Sequence, residues 1–272
     1  MTRALTSLIV AGGCCLMPKT ALAQLPVISC GGLRGAFTAV PAFDVPQEWP
    51  DDAAVPNYGM ERVPHGDGQA QQPAGDSDRW NRILSDPNST FFNRQPNEFL
   101  TRMARSLTPG RALDVGMGQG RNAVWLATQG WQVTGFDPAK DAVALAGTEA
   151  KRAGVPLTAI VTTDDEFAWG RERWDLILMT YVDVRSNVTR AIEALAPGGV
   201  VIVEGTHRDT LKIVPRIGEA VLFGDNELIQ LFGRSGLRVL HYEDVAAPSD
   251  FGDPGKRPLA RTVRLMAQKP AP

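Results

Sequence analysis

The sequence predicts a doubly wound α/β domain: five parallel strands with helices on both faces, closed by a C-terminal antiparallel pair to make seven. Three observations predict it. Runs that are apolar almost throughout alternate with segments of helical periodicity from about residue 97 to residue 232, the pattern of strands buried on both faces. The turn GMGQG at 116–120 follows the first such run, at the strand end where open parallel sheets bind ligands. The last two runs are joined by a Gly/Pro-rich loop rather than a helix, as antiparallel neighbours can be.

Taken in order, Leu100, Met103 and Leu107 recur at helical spacing in NEFLTRMARSL, and Pro109-Gly110 stops that helix. RALDV (111–115) is the first strand, and Ala123, Leu126 and Ala127 share one face of the helix behind the glycine turn. QVTGF (132–136) is the second strand, ending at Asp137-Pro138, with Ala142, Leu145 and Ala146 marking the next helix. LTAIVT (157–162) and WDLILM (174–179) are strands three and four. Val188, Ile192 and Leu195 mark a helix that Pro197-Gly198-Gly199 should end, before VVIVEG (200–205) as strand five. Leu228, Leu231 and Phe232 give one more helix, followed by the strands LRVLHYEDV (237–245) and RTVRLMAQ (261–268). In the last, Val263, Leu265 and Ala267 alternate with Arg264, Met266 and Gln268, which predicts one solvated face.

Upstream, Arg3 precedes an apolar run from Ala4 to Met17, and Ala21 and Ala23 lie before Gln24. This is the layout of a secretory signal peptide cleaved after Ala23, and it predicts a periplasmic or secreted protein, cytoplasmic if the leader does not function. The run is shorter than the roughly 20 apolar residues of a membrane span, so no membrane association is expected after cleavage. Residues 24–77, rich in Pro, Gly, Gln and Asp without periodicity, read as a flexible linker, which leaves 78–270 for the domain. The cysteines, Cys14, Cys15 and Cys30, all fall in this early region, and only Cys30 would survive cleavage. No Cys/His cluster has metal-ligand spacing, the histidines being His65, His207 and His241, so no metal is expected. With 28 Lys+Arg against 30 Asp+Glu, a net charge of −2 gives no footprint for a nucleic-acid backbone or an anionic membrane. A small-molecule substrate is the expected partner; nothing in the sequence speaks to oligomeric state.

At Gly116, Gly118 and Gly120 a Cβ would obstruct both the tight turn and the approach of a ligand to the backbone. The turn reads G-x-G-x-G, with Arg121 where the third glycine of the dinucleotide fingerprint G-x-G-x-x-G would fall, and no Lys-Ser/Thr of a phosphate loop follows. Asp137, ending strand two, is placed to accept hydrogen bonds from ribose hydroxyls, a geometry common to nicotinamide and other adenosine ligands.

LDVGMGQGRNA, VTGFDPA, TTDDEF, WDLILM and LAPGGVVIVEG, in that order, resemble the class I S-adenosylmethionine-dependent methyltransferases of Rossmann-like fold. Among these the chain is similar to the small bacterial tellurite-resistance and thiopurine enzymes, from about Trp80 to Lys269. The resemblance implies S-adenosylmethionine as cofactor. Gly116, Met117, Gly118, Gly120 and Asn122 would line its methionine and ribose part, and Asp137 with Pro138 would hold the ribose. Asp164, or the adjacent Asp165, would accept from the adenine amino group with Phe167 against the ring, and Thr180 and Tyr181 would face the sulfonium and the substrate. Met117 departs from many relatives, which carry a small residue or Cys there. Trp80, Phe92 and Asn97 would belong to a segment that folds over the cofactor.

Methyl transfer by in-line displacement requires chiefly alignment and a shaped field. Tyr181, Asp183 and His207 are the catalytic candidates, with Arg185 and Arg208 beside them. His207 suits a general base through its ordinary pKa near 6.5, and its plainer role is to cap a loop. Asp183 could simply pair with Arg185, while His241 is expected to be an ordinary strand residue and Glu243 a weaker candidate. Two other functions fit the same turn: a module that binds S-adenosylmethionine or S-adenosylhomocysteine in the cell envelope without catalysis, and an NAD(P)-dependent oxidoreductase.

Overall fold

The computed structural model of the 272-residue chain describes residues 74–86, 93–212, 218, 221–251 and 257–271. The predicted leader, all but the last residues of the predicted linker, and Phe92 lie outside them. Eight strands form one sheet: β1 (Arg111–Val115), β2 (Gln132–Asp137), β3 (Thr158–Val161), β4 (Trp174–Thr180), β5 (Leu195–His207), β6 (Leu222–Phe223), β7 (Arg238–Pro248) and β8 (Leu259–Gln268). Their order is β3-β2-β1-β4-β5-β8-β7, parallel through β5 and antiparallel at β8 and β7. The expected Rossmann-like fold is therefore present, with β6 added: it pairs in parallel with Thr206 and His207, beyond the last β4–β5 partners Thr180 and Glu204. A two-residue strand carries no readable periodicity.

The helices are α1 (Ala74–Ser85), α2 (Glu98–Ala104), α3 (Arg121–Thr128), α4 (Lys140–Ala153), α5 (Val184–Ala194) and α6 (Glu227–Gly233). Strand alternation divides the core in two. Leu113, Val115, Ile177, Met179, Val201, Val203, Val263 and Leu265 pack with α5 and α6. Ala112, Leu176, Leu178, Val200, Ile202 and Met266 pack with α2, α3 and α4. Each such side chain, fully buried, contributes about 1.5–3 kcal/mol by leaving water.

Several elements depart from the sequence pattern, each for a local reason. Val143 turns into the core in place of Leu145, which is exposed, because Ala142 and Ala146 already set the buried stripe. The helix expected to reach Pro197 stops at Ala194, and β5 starts at Leu195, where a register shift between Trp174 and Leu176 accommodates the proline. The face of β8 expected to be solvated is covered: Met266 is buried, and Arg264 lies 5.7 Å from the Phe99 ring of α2. Helix α1 opens at Ala74, within the stretch read as linker.

Candidate functional site

The order of strands reverses between β1 and β4, and the glycine turn leaves β1 there. Gly116, Gly118 and Gly120 have φ of +62°, +53° and +78°, the left-handed region that a side chain disfavours. Their surroundings differ. A Cβ on Gly116 would meet Val182 Cγ1 at 2.5 Å and one on Gly120 would meet Ala146 Cβ at 2.6 Å, so these two also allow close packing of the β4–α5 connection and of α4. One on Gly118 would meet Leu84 of α1 at an ordinary 3.4 Å. Helix α1 lies across the turn: Gln119 Nε2 donates to the Leu84 carbonyl, and Asn81 exchanges two hydrogen bonds with Asp141 of α4. The Met117 side chain packs on Gly135 within the core, and its main chain is bonded to the Phe136 carbonyl and the Gly120 N–H.

Asp137 is buried, and its oxygens accept from Gly118 N–H at 2.9 Å and, across Pro138, from Ala139 N–H at 2.8 Å. Burial raises its pKa and these two bonds oppose the rise. Past β3, Phe167 stacks on Phe136 with centroids 4.3 Å apart. Asp164 accepts from Asn187 Nδ2 at 2.6 Å, whereas Asp165 is exposed and pairs with Arg190. Of the two acids, Asp164 is the one held in place.

Between α2, β4 and β5 lies a buried polar network. Asn97 caps α2 by accepting from Leu100 N–H, and its amide donates to Glu204 Oε1 at 2.7 Å and to Asp250 Oδ2 at 3.0 Å. Glu204, 2% exposed, also accepts from the Tyr181 hydroxyl at 2.5 Å and from Arg264 Nε at 2.6 Å. Arg121 donates to Asp250 at 2.7 Å and to the carbonyls of Asn93 and Gln95. Burial alone would raise the Asp250 pKa, but Arg121 holds it below the ordinary value. Asn122 accepts from Asn97 N–H and donates to Thr180 Oγ1. Trp80 stands apart on α1, with Arg79 over its ring.

The remaining catalytic candidates have other surroundings. Asp183 caps α5, accepting from Ser186 N–H and Oγ, while Arg185 pairs instead with Glu227. His207 follows Val201 and Val203 onto the α6 face of β5, opposite Glu204, and is 3% exposed. Its Nδ1 accepts from Asp209 N–H, the loop-capping role, and its Nε2 lies 3.3 Å from Asp225 Oδ1 without a hydrogen bond. His207, Asp225 and Asp244 bring possible ligand atoms within 4.8 Å of one another. Arg261 supplies a positive charge there, donating to Asp244, Asp225 and Asp209. His241 is a strand residue bonded to Glu243, which also receives Arg102 and Arg264.

Sequence reasoning passed over Asp114, Glu204, Asp250 and the pairing role of Arg121. Asp114, in β1 behind the glycine turn, accepts from Ala123 N–H, and its Oδ2 has no partner among the described residues. For Asp114 and Glu204 a signal existed: a charge inside an otherwise apolar strand is seldom buried without a purpose. Among the described residues no helix is long and apolar enough to cross a membrane.

A methyltransferase domain family model matches residues 89–242. The ubiquinone biosynthesis O-methyltransferase of Rhizobium leguminosarum bv. trifolii is 33% identical over 122 residues, 43% of this chain and 46% of that protein. The chain thus spans about half the length of the curated relatives it matches first. In fold it is similar to TehB from Haemophilus influenzae, with TM-score 0.52 and 21% identity over 62% of this chain and 61% of that one. It is likewise similar to the N-methyltransferase NodS from Bradyrhizobium japonicum WM9 in complex with S-adenosyl-L-homocysteine, with TM-score 0.53 and 17% identity over 71% and 98%.

Proposed function

Because this chain belongs to the methyltransferase domain family, we propose that it catalyses S-adenosylmethionine-dependent methyl transfer to a small-molecule nucleophile. The observation that carries the proposal is the coincidence, at one strand reversal, of the left-handed glycine turn after β1 with a buried carboxylate ending β2. The residues fit the group. Each Asp137 oxygen accepts one backbone N–H and keeps further acceptor capacity, and Asp114 Oδ2 is buried without a partner among the described residues. The main chain of 116–120, Asp137 and Asp164 would hold the cofactor, with Phe167 at its ring. Bound there, S-adenosylmethionine supplies a methyl group made electrophilic by its sulfonium.

The chain's own part is alignment. Thr180 ends β4 with Tyr181 next to it, and the Tyr181 hydroxyl is held by Glu204, which Asn97 links to Asp250. Helix α1, tied to Gln119 and to Asp141, limits access of water. Since Asp183 is committed to its cap and His207 to the α6 face, the proposal includes no general base from either.

Calorimetry tests the reading: micromolar binding of S-adenosylmethionine or S-adenosylhomocysteine, weakened at least tenfold by Asp137→Ala, is expected. Binding of NAD alone would defeat it, and binding without turnover on a panel of thiols, phenols and amines would favour the non-catalytic module. We also propose export with cleavage after Ala23, on the strength of Arg3 and the apolar run to Met17; recovery of only unprocessed chain from the cytosol would refute it.

A further inference from the structure

Resting on the methyl-transfer reading, we propose that Tyr181, oriented by Glu204, holds the methyl acceptor by accepting a hydrogen bond from its X–H group, X being oxygen, sulfur or nitrogen. Tyr181 in this role selects acceptors that carry a proton on the reacting atom, and it does not remove that proton.

Backbone strain points to Tyr181 first. Its φ of +58° places an aromatic residue in the left-handed region, and such strain persists where the surroundings or a function impose it. Alternation along β4 would send Tyr181 to the α5 face with Ile177 and Met179. The strained turn instead brings its hydroxyl to Glu204, on the other face, and its ring edge-on to Phe251 at 4.9 Å.

Hydrogen-bond accounting then fixes what the hydroxyl can do. Glu204 receives Asn97 Nδ2, Arg264 Nε and the Tyr181 hydroxyl, so it is an acceptor throughout and the phenol is the donor in their bond. A phenol has one proton, and that one is committed. Burial, and after it the carboxylates of Glu204 and Asp250, hold the phenol's pKa well above its ordinary value, so Tyr181 is no base at neutral pH. What remains is lone-pair capacity on an oxygen to which no described residue donates, at the end of the strand beside the glycine turn. A group able only to accept is filled by a donor.

One consequence concerns turnover. As an alcohol or thiol takes the methyl group, the sulfonium's S–CH3 bond breaks to leave S-adenosylhomocysteine and the X–H proton passes to solvent water, so the ether or thioether product has lost the bond that held its precursor, and release is favoured. Glu204 is a positioning residue: it sets which way the phenol's hydrogen points.

The test uses the full chain saturated with S-adenosylhomocysteine and two probes, phenol and its methylated counterpart anisole, in calorimetric titrations. The wild type is expected to bind phenol at least tenfold more tightly than anisole. In Tyr181→Phe the ratio should fall to near one while S-adenosylhomocysteine affinity stays within threefold. In Glu204→Gln, with Arg264 keeping the carboxamide oxygen, the new NH2 replaces the oxygen that Asn97 and Tyr181 share; it donates to the phenol, while Asn97 Nδ2 keeps Asp250. The Tyr181 hydrogen then turns outward, and the ratio should fall or invert. Wild type that binds the two probes alike, or binds neither, overturns the proposal, as does a ratio that survives in Tyr181→Phe. Failure of the wild type to bind S-adenosylhomocysteine would refute the methyl-transfer reading itself.

Discussion

Replacing Asp114 by asparagine asks whether the acid behind the glycine turn is kept protonated by its burial. Asp114 is 1% exposed, Oδ2 has no partner among the described residues, and burial pushes its pKa from 3.8 to about 7 against the pull of Arg121. The unfolded chain releases this proton near pH 4 and the folded chain only near pH 7. Between those values the folded state binds the extra proton, so stability falls as pH rises through the window and levels off above it. At about 1.4 kcal/mol per pH unit the contribution amounts to about 4 kcal/mol. Asparagine has no proton to lose. In urea unfolding, Asp114→Asn should exceed the wild type by up to about 4 kcal/mol at pH 8 and by only about 1.5 kcal/mol at pH 5. Comparing the two proteins cancels Asp137, whose pKa is also raised, and Asp250, whose pKa is lowered. Parallel pH profiles, or a variant less stable at pH 8, would refute the reasoning. The same linkage reaches the ligand: a cation bound beside Oδ2 favours the ionised acid, so S-adenosylmethionine affinity should rise between pH 6 and 8 in the wild type and not in Asp114→Asn.

Arg121→Ala leaves Asp250, buried at 7% exposure, without its cation, and should cost about 3–5 kcal/mol in urea unfolding; Arg121→Met with Asp250→Leu should recover most of it. Gly120→Ala adds a Cβ 2.6 Å from that of Ala146 at φ +78° and should destabilise by more than about 2 kcal/mol, the left-handed penalty with a clash added. Gly154→Ala is its control, with φ +69° and nothing within 4 Å, and should cost about 1 kcal/mol by the same unfolding curves. Leu84→Ala should raise hydrogen exchange in α1 while leaving β1 and β4 protected, because Leu84 approaches the turn at Gly118; unchanged exchange in α1 would separate the helix from the site.

What could be read from the sequence was local. Apolar runs located β1, β2, β4, β5 and β8, because a strand buried on both faces needs no partner's identity to show itself; β3 and β7, half-buried at the two ends of the strand order, showed as shorter or more mixed apolar runs. The glycine turn and Asp137 were visible for the same reason: their chemistry lies within single short segments. The polar network was not, since its bonds join Asn97 to Glu204, Asn97 to Asp250 and Arg121 to Asp250 across 107, 153 and 129 positions. His207 stands outside that network for a related reason. It also ends β5, but residue parity decides the face, and His207 shares that of Val201 and Val203 while Glu204 shares that of Ile202.

Parity also relates the two acids that interrupt apolar strands. Asp114 follows Ala112 and Glu204 follows Ile202 onto the face packed by α2, α3 and α4. In register they neighbour Leu178 and Thr180 of β4, so β4 alone separates them. Their environments are opposite: Glu204 is met by three side-chain donors, whereas Asp114 keeps an oxygen without a partner. A carboxylate met by three donors is held in place, which suits a residue that orients Tyr181. An acid left unsatisfied in the same layer is poised to change protonation when a charge arrives beside it. The two strands that flank β4 thereby carry acids with different tasks on one face, rigidity at Glu204 of β5 and responsiveness at Asp114 of β1.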